Sequence, residues 1–234
     1  MSCIYAIIPA RSGSKGIKDK NIKKICGIEL LGYSIRFAQR LHVDRIICST
    51  DSEQYADIAR SFGADVPFLR SHQASSDTAM EEDILRDLYD KFDDHSVSYP
   101  DYFVWLRPTF IFRDVTSVKK CIHMLENDAE LTASRTVAEA EPRLYNGADT
   151  MLFPNFDDHG RSMIRRQDIR KAFKVFSTDV FRGHIRNSSS SFLGNRIGYI
   201  EIPKICGMDI DDEIDFSLVE LLITYRRDMV NAYL

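Results

Sequence analysis

A chain of 234 residues, 44% hydrophobic and 28% charged, has enough apolar material for one α/β domain and too little charge bias for wholesale disorder. Lys and Arg total 31 against 35 Asp and Glu, a net charge of −4, which excludes a general binder of nucleic acid or anionic membrane, since either needs a basic excess. No apolar run approaches the ~18 residues of a membrane helix, and the start MSCIYAIIPAR is too short and too poor in preceding basic residues for a secretory signal, so a cytoplasmic location is expected.

Residues 3–9 (CIYAIIP) are short, β-branched and apolar, as a buried parallel strand is. Residues 30–41 carry Leu31, Ile35 and Ala38 at helical spacing. Residues 45–49 (RIICS) read as a strand, 53–62 as a helix stopped by Gly63, and 66–69 as a brief strand. A helix over 80–92 places Ile84, Leu85, Leu88 and Phe92 on one side; a strand follows at 102–106 (YFVWL) and a helix at 115–125. Such alternation predicts a mostly parallel central sheet with right-handed crossovers and helices on both faces. Ligands sit beyond the carboxyl ends of such strands, which points first to Ala10-Arg11-Ser12, Thr50-Asp51 and Arg107-Pro108.

Residues 131–186 lose this pattern, with Pro142, Gly147, Pro154 and Gly160, and are expected to form an insertion or small lobe within a single domain spanning 1–234. The serine run at 188–191 is expected to be a loop or a helix start. Strands are predicted at 196–202 and 205–210, then a helix over 213–230 with Leu218, Leu221, Leu222 and Tyr225 expected to face the core. The five Cys are scattered without a C-x-x-C pair, the pattern of reduced thiols rather than of disulfides or a zinc site, and the six dispersed His are assigned no role.

Two constellations carry chemistry. Residues 10–21 read ARSGSKGIKDKN, and between Arg11 and Lys24 stand six cations (Arg11, Lys15, Lys18, Lys20, Lys23, Lys24) and one acid, Asp19. Gly13 and Gly16 let the backbone turn its amides toward an anion, Arg grips phosphate with a fork and Lys adds compact charge. The loop is neither a Walker A motif nor G-x-G-x-x-G, and a basic loop alone is equally well a solvated surface; its place after the first strand favours polyphosphate. The second constellation is Asp209-Ile210-Asp211. On an extended segment the two carboxylates share a face with Cα atoms ~6.5 Å apart while Ile210 points inward. Such a pair suits Mg2+, which takes one or two carboxylates plus waters and substrate phosphate. The competing reading is helix capping, and it fits Asp212 as N-cap with Asp215 three residues on and Glu213 at the positive helix end.

The run IPARSGSKGIKDKN with GIELLGYSI, then RIICSTDSEQYADIARSFGADVPFLR, SSDTA at 75–79 and DIDDEIDF at 209–216 resemble, in the same order, the cytidylyltransferases that activate sialic acids and other 3-deoxy-ulosonic acids, the CMP-sialic acid synthetase family. The resemblance covers most of 1–110 and 196–230. It implies a Rossmann-like nucleotide-diphospho-sugar transferase fold with a small dimerisation insertion at about 131–186, usually a homodimer. It implies the reaction CTP + acidic sugar → CMP-sugar + pyrophosphate with Mg2+, in a bacterial cytoplasm, supplying polysaccharide or glycoprotein synthesis. Carried over by position, Arg11, Ser14, Lys15 and Lys20 hold the triphosphate, Asn21 and Arg70 contact the nucleoside, and backbone near Pro9, Ala10 and Ala79 reads the cytosine edge. Asp209 and Asp211 are the expected metal ligands, and Arg11, Lys15 and Asp211 the expected catalytic residues.

The departures cluster on the sugar side. The family pattern LQPTSPLR is here LRPTFIFR at 106–113, which puts Arg107 where a Gln is common and Phe110 where a Ser is, and Glu81 replaces a Ser. Arg166 and Gln167 match the region that meets the sugar acid, whereas the strand N-G-A-[IF]-Y that follows is replaced by FSTDVF at 176–181. A new cation and a lost amide alter buried hydrogen bonding and thus selectivity, so Arg107 is expected to bind a further anionic group of the acceptor. The alternatives are a same-fold nucleotidyltransferase using a sugar phosphate or phosphonate, and a non-catalytic CTP-binding paralogue.

Overall fold

The computed structural model describes residues 2–160, 164–185 and 191–234. β1 (Ile4–Pro9) sends Ala6 and Ile8 to one face and Tyr5 and Ile7 to the other, all buried; side chains alternate across a strand, so a strand covered on both faces needs an unbroken apolar run. The basic loop leads into a small hairpin, β2 (Lys24–Ile25) and β3 (Ile28–Glu29), and then α1 (Leu30–Leu41). β4 (Arg45–Ser49) is followed by α2 (Glu53–Ser61), whose first turn is capped by the Ser52 hydroxyl accepting from the Tyr55 amide. α3 (Glu81–Asp94), β5 (Tyr102–Leu106) and α4 (Val115–Asn127), capped by the Asp114 carboxylate, complete the first half. β6 (Ala133–Ala140), the hairpin of β7 (Tyr145–Ala148) and β8 (Met151–Pro154), β9 (Ala172–Lys174), β10 (Thr178–Arg182) and β11 (Ile197–Ile202) lead to α5 (Glu213–Tyr225) and the short α6 (Arg227–Val230).

Seven strands make one sheet in the order β11-β6-β10-β5-β1-β4, with β9 paired to β6. β4, β1 and β5 are mutually parallel, as are β6 and β11, and β10 and β9 run against their neighbours. α1, α2 and α4 cover one face, packing Leu31, Tyr55 and Val118 against Ala6, Ile8 and Val104. α3 covers the other, with Leu85, Leu88 and Phe92 against Ile7, Phe103 and Trp105.

The structure departs from the sequence expectations in four places. The irregular stretch 131–186 contributes β6 and β10 to the centre of the sheet rather than standing apart from it. Residues 66–69 form no strand; Asp65 makes a single bridge to Ile47. Lys204–Gly207 is a 3-10 turn where a strand was predicted. The last helix breaks at Arg226, and its buried residues are Phe216, Val219 and Ile223, while Leu218, Leu221 and Tyr225 are exposed. Of the serine run, residues 188–190 lie outside the described residues.

A third apolar cluster positions the site. Ile17 of the basic loop, Ile111 and Phe112 after β5, and Ile210, Phe216 and Val219 around the acidic pair are buried together. Burying an aliphatic side chain of this size stabilises by ~1.5–3 kcal/mol, so the apolar residues set between the charged ones hold three distant segments at one end of the sheet.

Candidate active site

The basic loop leaves β1 at its carboxyl end. The Ser12 amide and hydroxyl donate to the Asp51 carboxylate, 2.7 and 2.8 Å, which ties the loop to the end of β4. The Asn21 side-chain amide donates to the Arg11 carbonyl, 3.0 Å, closing the loop on itself. Gly13 takes φ +68°, a left-handed turn that favours glycine. Arg11 and Lys15 converge on one carboxylate, that of Asp77, at 3.0 and 2.7 Å. Lys15 and then Arg11 hold the Asp77 carboxyl below the usual carboxylate range. An anion therefore already sits where the two cations meet, supplied by the SSDTA segment.

The acidic pair reaches the same place. The Lys20 ammonium donates to the Ile210 carbonyl at 2.8 Å and stands 3.5 Å from the Asp211 carboxylate. A Cβ placed on Gly16 would lie 2.7 Å from the Asp211 carbonyl oxygen, so the loop and the acidic segment touch through backbone at a position only glycine fills without displacement. The Ile210 amide donates to the Thr109 carbonyl, 3.1 Å, and its side chain is fully buried, as alternation along an extended segment requires; of its neighbours Asp211 is exposed and Asp209 only partly so. Asp212 caps α5, accepting from the Ile214 and Asp215 amides, and Asp215 accepts from Asp212 in return. Capping thus falls on Asp212 and leaves Asp209 and Asp211 outside the helix. Burial, with the charge of Asp211, pushes the Asp209 carboxyl up against the pull of Thr109, and its Oδ1 is buried without a hydrogen-bond partner among the described residues.

Beside the loop lies a cavity of about 300 Å3 lined by Arg11, Ser14, Lys20, Asn21, Arg70 and Ala79; Asp209 and Asp211 are not in its lining and reach it only through Lys20, which bonds the Ile210 carbonyl. Its far end is walled by Glu81, Trp105, Arg107 and Thr109. Arg70 is buried, its guanidinium donating to the Ser49 hydroxyl and carbonyl, and burial lowers it to about 10. Lys15 is exposed and joins the cavity through the Asp77 carboxylate it shares with Arg11. Ala10 is fully buried and does not line the cavity; its amide donates to the Ser49 carbonyl. The Ala79 amide is engaged with the Ser76 carbonyl, which leaves its carbonyl for a ligand.

Arg107 points into this wall with its charge already matched. It donates to Glu81 (3.0 Å), to Asp179 (2.8 Å) and to the Phe176 carbonyl, and Arg135 holds the other oxygen of Asp179. Two cations and two anions make a neutral cluster around the fully buried Asp179, and Arg107 itself lines the cavity. The Phe176 ring lies between the Arg107 and Arg135 guanidiniums at 5.1 and 5.4 Å. Phe110, the other departure, is buried rather than on the cavity wall. Arg166 and Gln167 sit on a 3-10 turn away from the cavity lining, with Arg166 paired to Glu139.

Sequence reasoning missed Asp77, Thr109 and Trp105. The residue types gave no signal for Asp77, because its partners lie more than sixty residues earlier. Asp51 stood at the end of a predicted strand and was readable as a site position but not as the anchor of Ser12.

The cationic glycine loop and the acidic pair thus meet beyond the end of β1, an arrangement fit to hold a polyphosphate. Residues 5–179 match the family model described as cytidylyltransferase, and the chain belongs to that family. It is 37% identical over 230 residues to a CMP-N,N'-diacetyllegionaminic acid synthase of Legionella pneumophila, covering 96% of this chain and 98% of that one. It is 31% identical over 224 residues to an N-acylneuraminate cytidylyltransferase of Escherichia coli, where 92% of this chain spans 51% of the relative. The structure of a CMP:2-keto-3-deoxy-manno-octonic acid synthetase complexed with CTP superposes with a TM-score of 0.70 at 16% identity, covering 96% of this chain and all of that one, which shows the shared fold.

Proposed function

We propose that the protein transfers CMP from CTP to the anomeric hydroxyl of a sialic-acid-like 3-deoxy-ulosonic acid and releases pyrophosphate, with Mg2+ as its metal. The observation that carries this reading is the meeting of the glycine loop with the Asp209–Asp211 segment, through Lys20 and through the contact of Gly16 with the Asp211 carbonyl. Family membership and the legionaminic and neuraminic relatives support the nucleotide and the acceptor class.

The metal reading is supported by the donor set. Among the described residues no cluster of three His, Cys, Asp or Glu could cage a metal, but Mg2+ needs only one or two carboxylates when phosphate and water supply the rest. Asp209 offers a buried carboxylate oxygen without a partner, and Asp211 a second carboxylate beside Lys20. When bound, Mg2+ supplies charge neutralisation at the phosphates and acidifies a coordinated hydroxyl.

In the chain's own terms, Arg11 and Lys15 exchange the Asp77 carboxylate for the triphosphate and neutralise the departing pyrophosphate. Lys20 fixes the acidic segment against the loop and presents its remaining donors to the phosphates. Arg70 and Asn21 hold the loop walls around the nucleoside. The acceptor oxygen bonds to the α-phosphorus as the bond to the pyrophosphate oxygen breaks; pyrophosphate leaves with the electron pair and the hydroxyl proton passes to solvent. Such a transfer depends on positioning and charge more than on covalent catalysis, and no His or Glu base is assigned.

Two copies pair, in this reading, through the β7–β8 hairpin; its support is the exposure of Met151, Leu152 and Phe153. A cytoplasmic location is part of the same proposal; no helix among the described residues is long and apolar enough to cross a membrane. The test is CTP-dependent pyrophosphate release across neuraminic, legionaminic, pseudaminic and octulosonic acids. Turnover with one of them and its loss in Asp211→Asn, with CTP binding retained, supports the reading. Release only with a sugar phosphate or a phosphonate overturns the acceptor class, and binding of CTP without release from any acceptor overturns the enzyme.

A further inference from the structure

The largest of the described cavities, about 920 Å3, is not at the nucleotide site. It lies between α1, the β2–β3 hairpin and the end of the chain, with an apolar floor that includes Tyr33 and Ile223. Its charged side chains are of one sign. Arg36 and Arg40, one helical turn apart on α1, face Arg227 of α6, with His42 at the end of α1, and no Asp or Glu lines it. Among the described residues none of the three arginines is in an ion pair with a side-chain carboxylate. Arg36 lies over the Phe62 ring at 5.5 Å, Arg227 donates weakly to Asn231 at 3.4 Å, and Arg40 donates one amino group to the Ala232 carbonyl at 3.1 Å. The other amino group of Arg40, Nη1, is buried and has no hydrogen-bond partner among the described residues.

Arg36 and Arg227 are exposed, but the buried donor of Arg40 runs against ordinary practice, since an arginine donor that leaves water is almost always paired and an unmet one is costly. Three guanidiniums around one concavity with no side-chain carboxylate among its lining residues, in a chain of net charge −4, gather positive charge that folding alone does not require. The volume is in the range of small-molecule sites, and planar guanidinium forks match the oxygens of phosphate two at a time. We propose that this cavity is a second, non-catalytic site for a phosphate-bearing small molecule, whose oxygens are held by Arg36, Arg40 and Arg227 and whose body rests on the Tyr33 and Ile223 floor. The site is joined to the nucleotide site by chain continuity on both sides: β2 begins directly after Lys23 of the basic loop, and Ile223 belongs to the helix capped just after Asp211.

The proposal is independent of the transfer reaction and is tested without turnover. Inorganic pyrophosphate is titrated calorimetrically into the wild-type chain, Arg36→Ala/Arg227→Ala and Lys15→Ala. Two equivalents are expected in the wild type. The double variant loses one of them, with its dissociation constant raised about tenfold or more, as the loss of charge-assisted bonds predicts, while Lys15→Ala weakens the other. Both substituted arginines are exposed, and an unchanged melting temperature verifies folding; Arg36→Lys/Arg227→Lys, which keeps charge but loses the fork, falls between. Crystals soaked in tungstate are expected to show an anomalous peak among the three guanidiniums. A single equivalent that depends on Lys15 and is indifferent to Arg36 and Arg227, or tungstate only at Arg11 and Lys15, overturns the second site.

Discussion

Gly16→Ala isolates the contact on which the site depends. The added methyl would stand 2.7 Å from the Asp211 carbonyl oxygen and has no other neighbour besides that carbonyl within 4 Å. Gly16 does not use the left-handed region, so the perturbation is the contact and not backbone strain. To reach the 3.4 Å of ordinary contact the loop and the acidic segment must separate by about 0.7 Å. Lys20 resists this through its bond to the Ile210 carbonyl, as do the buried Ile17 and Ile210. Overpacking of this kind costs ~1–3 kcal/mol of stability. A displacement approaching 1 Å between groups that act together lowers turnover on the order of 10–100-fold. The assay is steady-state pyrophosphate release with CTP binding measured in parallel. The expected result is a fall in kcat with CTP affinity changed far less, because the loop's own cations are not moved apart. Gly13→Ala is the control of opposite kind, with φ +68° strained but open space around the new methyl. Wild-type kcat in Gly16→Ala would refute the idea that the two segments act as one unit.

Three further outcomes are expected. Asp77→Asn removes the carboxylate that Arg11 and Lys15 now share, so the dissociation constant of CTP should fall, by a factor of about 2–5 for so exposed a pair; weaker binding by titration would show that Asp77 helps the nucleotide instead of competing with it. Trp105 is the one tryptophan of the chain, is fully buried, lines the cavity and leaves its indole N–H without a hydrogen-bond partner among the described residues; adding acceptor and CTP should change its fluorescence, and a flat titration under conditions of turnover would count against the wall assignment. Burial pushes the thiols of Cys48 and Cys206 up to about 12 and that of Cys121 to about 11, so native protein at pH 8 should lose Cys26 to a thiol reagent first and keep these three until unfolding, as peptide mapping would show.

β1, α1, β4 and β5 were legible because each is apolar at the period its element requires, and the loop after β1 because glycine and cation together have few structural uses. β6 and β10 were not, because polar residues interrupt their apolar ones: Arg135 and Asp179 enter the sheet as an ion pair beside the buried Thr178, and no hydrophobic period records a partner that arrives from Arg107. α5 misled for the opposite reason. It is apolar on more than one side, and periodicity reports a stripe without saying which stripe is covered; Phe216, Val219 and Ile223 took the core. The acidic pair was legible as a pair, since Asp212 and Asp215 accounted for the cap. That Arg107 is neutralised was invisible, because Glu81 and Asp179 are distant in sequence and Arg alone reads as a free charge.

The Asp179 knot makes this end of the cavity a collective structure. Replacing Arg107 by a neutral amide would orphan Glu81 and leave Asp179, wholly out of solvent, on Arg135 alone; stripping a buried ion of a partner is costly. Reshaping this end of the cavity therefore demands concerted exchange at 81, 107 and 179. Lineages that diverge here should be seen to swap all three positions together, with few viable halfway forms.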